Sequence, residues 1–144
     1  MKMDWINVFA PATIGNIGPG FDVLGLAVKG LGDVVEARKT IQAGVKIASV
    51  ESKTPLSTDP EKNTAGIAAK EVLKTLKEKG GVELKIHKGL PIGSGLGSSA
   101  ASAAAGAYAA NYLYGQKLSR LELVLPATKA EAVVSGGFFA DNTA

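Results

Sequence analysis

Gly93, Gly95 and Gly97 stand at alternate positions and are followed at once by Ser98 and Ser99, a grouping suited to holding an anion. They belong to the run Pro91-Ile92-Gly93-Ser94-Gly95-Leu96-Gly97-Ser98-Ser99-Ala100-Ala101, which joins a predicted strand to a predicted Ala-rich helix. A helix N-terminus carries unpaired N–H groups and partial positive charge, and glycines let those groups close on phosphate oxygens without side-chain obstruction. Phosphate is therefore the ligand this segment suits. Ser98 and Ser99 supply hydroxyls, either as helix caps or as oxygen ligands to a phosphate-bound magnesium ion. The same residues also read as a flexible glycine connector closed by a serine cap, because isolated Gly-rich matches are weak evidence.

Two familiar phosphate loops do not fit. A Walker A loop needs a lysine just after its last glycine, and none occurs between Lys88 and Lys117. Gly95 to Ala100 matches G-x-G-x-x-A, but residues 89–94 separate it from the preceding strand and no βαβ pattern follows. Other chemistry-bearing residues are scattered. Asn16 and Asp22 lie in a glycine-lined stretch expected to be a loop, where a carboxylate can hold an ammonium and an amide can hold a carboxylate or hydroxyl. Beside glycines the same pair also suits simple turn formation. Asp141 is a candidate general base toward a substrate hydroxyl. Glu131 taken alone reads as a solvated helix residue. His87, the one histidine, falls on the polar side of an alternating strand and has no second histidine with which to bind metal. The absence of cysteine excludes disulfides, thiolate zinc sites and a cysteine nucleophile.

These residues need elements to position them. Alternation over Trp5 to Ala10 predicts a strand that Pro11 ends, and 33–39 and 45–50 read as strands paired across Gln42-Ala43-Gly44. A polar loop over 51–61 leads to a helix start at Asp59-Pro60. Ala65, Ala68, Ala69, Val72, Leu73 and Leu76 recur at helical spacing until Gly80-Gly81, and Val82, Leu84 and Ile86 then alternate with Glu83, Lys85 and His87 as a strand with one wet face. A helix follows from Ser98 to Tyr112. The last helix opens on Ser119 and Glu122, spaced as a capping box, and is expected to kink or split at Pro126. This order lacks regular βαβ alternation and points to an α+β sandwich with helices on one face of the sheet.

A chain of 144 residues, 46% hydrophobic and 20% charged, has room for one globular domain spanning 1–144. Its 18 glycines and 22 alanines suit close backbone approach rather than bulk. A net charge of +3, dispersed along the chain, gives no nucleic-acid footprint. The N-terminus lacks a secretory pattern, so the expected location is cytoplasmic. Residues 89–116 carry no charge, but they contain Pro91 and few large aliphatics, so no membrane span is expected.

The run from Pro91 to Ala101 resembles the second motif of the GHMP kinases, the family of galactokinase, homoserine kinase, mevalonate kinase and phosphomevalonate kinase. Ala10-Pro11-Ala12-Thr13-Ile14-Gly15-Asn16-Ile17-Gly18-Pro19-Gly20-Phe21-Asp22-Val23-Leu24-Gly25-Leu26-Ala27 resembles the first motif in the form used by the homoserine-phosphorylating branch. Asn63, Glu131, Ser135-Gly136 and Ala140-Asp141-Asn142 extend the match over nearly the whole chain. The resemblance implies a two-layer sandwich of a mixed sheet with helices on one face, of the ribosomal protein S5 domain 2 type. It implies ATP and Mg2+ as cofactors and phosphorylation of the side-chain hydroxyl of L-homoserine, a step of threonine biosynthesis. By the same resemblance, Asn63 and Pro91, Ile92, Gly93, Ser94, Gly95, Leu96, Gly97, Ser98, Ser99, Ala100 and Ala101 meet ATP, Ser99 and Glu131 hold magnesium, and Asn16, Asp22 and Asn142 meet the substrate. It further implies transfer without a strong base, Asn142 orienting the substrate, with Asp141 as the alternative base.

Two positions depart from the family pattern: Ile14-Gly15 stands where Ser-Ala is usual, and Phe139 where histidine is usual. Both lie near the expected amino-acid pocket, which leaves room for another small-molecule alcohol as substrate, or for a non-catalytic nucleotide-binding domain. Family members are about twice as long and carry a C-terminal ferredoxin-like domain. That domain is expected to be absent here, so that residues 1–144 alone show little homoserine phosphorylation and self-associate, as a homodimer or otherwise, through exposed apolar surface.

Overall fold

The computed structural model describes residues 4–136 and 142–144. Four strands, β1 (Ile6–Ile17), β2 (Gly20–Thr40), β3 (Gly44–Glu51) and β4 (Gly81–His87), form one sheet in the order β1-β2-β4-β3. The β1/β2 and β2/β4 pairs are antiparallel and β3/β4 is parallel, so the sheet is mixed. Helices α1 (Thr64–Leu76) and α2 (Ser98–Leu113) pack on one face of it, and α3 (Arg120–Ser135) packs against both helices. The result is the α+β sandwich expected from the order of elements.

Register explains which side chains are covered. Val35 and Ala37 of β2 pair with Ile86 and Leu84 of β4, and these four, with Val82 and Ala12, are wholly buried beneath the helices. α2 is covered because its residues are small: Ala100, Ala103, Ala105, Ala107, Ala109 and Ala110 are all buried, letting the helix sit between the sheet and its neighbours. Outward-facing residues of β2, β3 and β4 form ion pairs. Glu83 lies between Arg38 Nε at 2.7 Å and Lys46 Nζ at 2.9 Å, and is buried although it falls on the face expected to be wet. His87 sits between Glu51 and Glu36, each 2.9 Å from a ring nitrogen; the Glu51 carboxylate, and then Glu36, push its pKa above the usual value.

The structure differs from the sequence-based expectation in four places. Pro11 does not end β1: the strand continues to Ile17, with a register shift between Pro11 and Ala12. β1 is an edge strand, and at an edge or a bulge proline forfeits little ladder hydrogen bonding. Consequently the stretch expected to be a glycine-lined loop is a long hairpin, β1 with β2, turning at 18–19. β2 and β3 do not pair with each other, because β4 runs between them. Their short connection straddles the start of β4 at Gly81, where a Cβ would overlap the carbonyls of Gln42 and Gly44. α1 starts at Thr64, capped by Asn63, while Asp59 makes a turn by accepting from the backbone N–H of Glu61 and Lys62. Finally, of the kink or split expected at Pro126 the split does not occur: α3 is one helix with Pro126 inside it, its first turn held by the capping box that the Ser119 and Glu122 spacing predicts.

Candidate functional site

A cavity of about 330 Å³ lies between the glycine loop, the segment ahead of α1 and the second half of α3. Its volume falls in the range of small-molecule sites. The glycine loop forms one wall because its backbone adopts conformations that other residues resist. Gly93, Gly95 and Gly97 have φ of 71°, 75° and 64°, the left-handed region that costs an L-residue with a Cβ about 1–2 kcal/mol. Gly97 is the N-cap of α2 and brings no side-chain hydrogen bond. The first-turn N–H groups that follow, which an α-helix cannot satisfy internally, open beside the cavity at Ser98 and Ser99. The loop is tied on one side to β1, where the Thr13 N–H donates to the Leu96 carbonyl at 3.0 Å, and on the other to α2, where the Ala101 N–H donates to the Gly97 carbonyl at 2.8 Å.

Four oxygen-bearing side chains gather at this helix start. Ser99 Oγ donates to Glu131 Oε2 at 2.9 Å, which brings α2 and α3 together at the cavity. Ser98 Oγ is buried and has no hydrogen-bond partner among the described residues, an uncommon state for a buried hydroxyl and one that a ligand oxygen would relieve. Thr64 Oγ1 donates to the Ser99 carbonyl at 3.0 Å, locking α1 to the same turn. Among the described residues no cluster of three or more His, Cys, Asp or Glu could hold a metal unaided. Ser99 and Glu131 nonetheless present hard oxygen donors side by side, the donor type magnesium takes when phosphate and water complete its shell.

The other residues singled out in the sequence divide clearly. Asn63 lines the cavity and builds its second wall: its Oδ1 caps α1 by accepting from the Ala65 N–H at 3.1 Å, and its Nδ2 donates to the Ser57 carbonyl at 3.1 Å. Ile92, Gly93, Ser94, Gly95, Leu96 and Gly97 line it too. Pro91 borders an adjoining hollow, and Ala100 and Ala101 face the core. Asn142 reaches the cavity and its Oδ1 accepts from Thr13 Oγ1 at 2.9 Å. Asn16 is not among the lining residues; it sits at the bulged end of β1 with φ 58°. Asp22 lies on β2 and its side chain is outside the described residues, as are Asp141 and Phe139 altogether.

Sequence reasoning missed the polar group under the loop. Asp33, wholly buried, pairs with Lys88, a residue that also borders the cavity. Burial pushes the Lys88 pKa down, and the Asp33 carboxylate beside it acts in the opposite direction. A signal was present: Asp33 is in phase with Val35 and Ala37, and Lys88 with Leu84 and Ile86, so both occupy positions of the inward face.

Residues 63–144 match the family model described as GHMP kinases N terminal domain. The chain is 53% identical to a homoserine kinase of Arabidopsis thaliana, the alignment covering 96% of the chain and 39% of that protein. It is 43% identical to a homoserine kinase of Methanococcus maripaludis, over 99% of the chain and 47% of the relative. The crystal structure of a homoserine kinase from Cytophaga hutchinsonii superposes with a TM-score of 0.91 at 44% identity, covering 99% of the chain and 46% of that structure. The chain thus spans less than half the length of these relatives.

Proposed function

This chain belongs to the GHMP kinases, matching their N-terminal domain, and on that premise we propose that its glycine-loop cavity binds the phosphates of MgATP for transfer to the side-chain hydroxyl of L-homoserine. The observation that carries the reading is the open start of α2, where three left-handed glycines lead to a helix N-terminus beside the Ser99 and Glu131 pair. A polyphosphate suits this place because helix N–H groups and a divalent cation both offset its charge. Ser99 and Glu131 would hold magnesium, which lowers the charge on the transferring phosphoryl group.

Phosphoryl transfer asks the protein for positioning and charge stabilisation more than for a covalent intermediate. In this reading the loop fixes the phosphates, Asn63 shapes the wall opposite, and Thr13 holds Asn142 where it orients the acceptor hydroxyl. Asn16 and Asp22, on the β1/β2 hairpin, contribute to the acceptor side, and Ile14 and Gly15 on the same hairpin tune which alcohol is accepted. The homoserine kinases named above support homoserine as that alcohol. The direct test measures MgATP-dependent phosphorylation of L-homoserine, other amino alcohols and mevalonate by the protein that carries this domain. Homoserine should have the highest kcat/KM. A clear preference for mevalonate or another alcohol would sink the substrate assignment, and failure to bind MgATP would sink the site.

A further inference from the structure

The register of the sheet places two charged residues where the core would otherwise continue. Asp33 pairs with Ala10 on β1, and one step beyond the Val34 and His87 pairing it meets Lys88. Taking two ions out of water costs several kcal/mol each, and apolar residues of like volume would fill this space at least as stably. An ion pair offers direction instead. Asp33 Oδ1 accepts from the backbone N–H groups of Gly89 and Leu90 at 3.0 and 3.1 Å, where the chain leaves β4. Lys88 Nζ donates to the Ser98 carbonyl and to Ser102 Oγ, both at 2.7 Å, where the chain enters α2. Ser102 Oγ closes the ring by donating to Asp33 Oδ2 at 3.0 Å. One buried pair therefore ties both ends of the glycine loop.

We propose that Asp33 and Lys88 are positioning residues that hold the glycine loop in its anion-accepting shape before nucleotide arrives. The inference rests on the nucleotide reading of the cavity. Its physical basis is entropic: three glycines have more backbone freedom to lose than other residues, and ordering them only upon binding would subtract from affinity. A clamp formed during folding removes that cost.

Lys88→Met, Asp33→Asn and the double variant separate this role from simple core filling. Each single substitution strands a buried group, and its melting temperature should fall. The double variant removes both charges and should melt within about 5 °C of the parent. If the pair is a clamp, the ligand-free double variant still shows the Thr13 and Ala101 amides, bonded to the loop carbonyls of Leu96 and Gly97, exchanging about tenfold faster. Exchange at Val35 and Ile86 should stay put, and the MgATP dissociation constant should rise about tenfold. Parent-like exchange and affinity in a stable double variant overturn the proposal. Should that variant not fold, Ser102→Ala removes one partner of each charge within an alanine-rich helix, and unchanged exchange at Thr13 and Ala101 overturns it equally. If the parent binds no MgATP, the nucleotide reading fails, while the exchange rates of the ligand-free proteins still decide the clamp.

Discussion

Helices α2 and α3 have the same length class and begin in opposite ways. α3 closes its own N-terminus: Ser119 Oγ accepts from the Glu122 N–H at 3.3 Å, and Glu122 Oε2 accepts from the Ser119 N–H at 2.8 Å. α2 begins at Gly97 with no side chain over its first amides. α1, capped by Asn63, resembles α3 in this respect. Among the described residues, then, the helix start left uncapped is the one where Ser98 and Ser99 face the cavity. α3 draws stability at its first turn from within itself, whereas α2 draws it from buried alanines and leaves its first N–H groups without a side-chain cap.

The largest effect expected from disturbing this contrast is at Gly97. Gly97→Val puts a β-branched residue at φ 64° and drives its Cβ into Thr13 Oγ1, the hydroxyl that holds Asn142. Strain of about 1–3 kcal/mol and the displaced wall together should weaken MgATP binding about a hundredfold while the fold survives. Titration calorimetry measures this, and parent-like affinity would show that the open helix start is not the binding site. Next comes Glu131→Gln, which keeps the shape of the Ser99 contact but removes its charge. Turnover at fixed ATP should fall at least about tenfold, with a higher magnesium requirement and little change in melting temperature. An unaltered magnesium titration would remove Glu131 from the metal site.

Smaller effects are expected on the capped side of the comparison. Ser119→Ala should cost about 1 kcal/mol of stability and leave MgATP affinity alone; a loss of affinity as large as that from Gly97→Val would erase the distinction between the helices. Acid should separate them more gently. The Ser119 N–H, and then its hydroxyl, hold the Glu122 carboxyl below the usual carboxylate range. Its contribution is therefore complete above the ordinary carboxylate value and is lost as pH falls through the lowered one. Amide shifts at Glu122 and Leu123, followed by NMR down an acid titration, should report fraying of α3, and Glu122→Gln should abolish that titration.

The legible parts of the site were those set within a turn or two of chain. Ser119 and Glu122 announce a capping box because both partners lie on one turn, and the alternate glycines before Ser98 announce a loop opening onto a helix for the same reason, although whether a serine caps that helix was not legible. The β1/β2 hairpin was not legible. Pro11 and the glycines of residues 15–20 are local breakers, and only the position of β1 at the sheet edge makes them tolerable in a strand. The insertion of β4 between β2 and β3 was likewise hidden, since a three-residue connection ordinarily means neighbouring strands.

The sequence by itself determined that three helices form and that a glycine loop precedes α2, because backbone propensity, caps and left-handed glycines are decided by adjacent residues. Beyond the Ser99 and Glu131 pair that the resemblance implied, tertiary structure alone decided that Thr13 meets Asn142 and that Asp33 meets Lys88, partners separated by 129 and 55 positions. Such pairs form only where the burial of a whole core fixes strand order and register, and the energy that fixes them is spread over all of its residues rather than written at either partner.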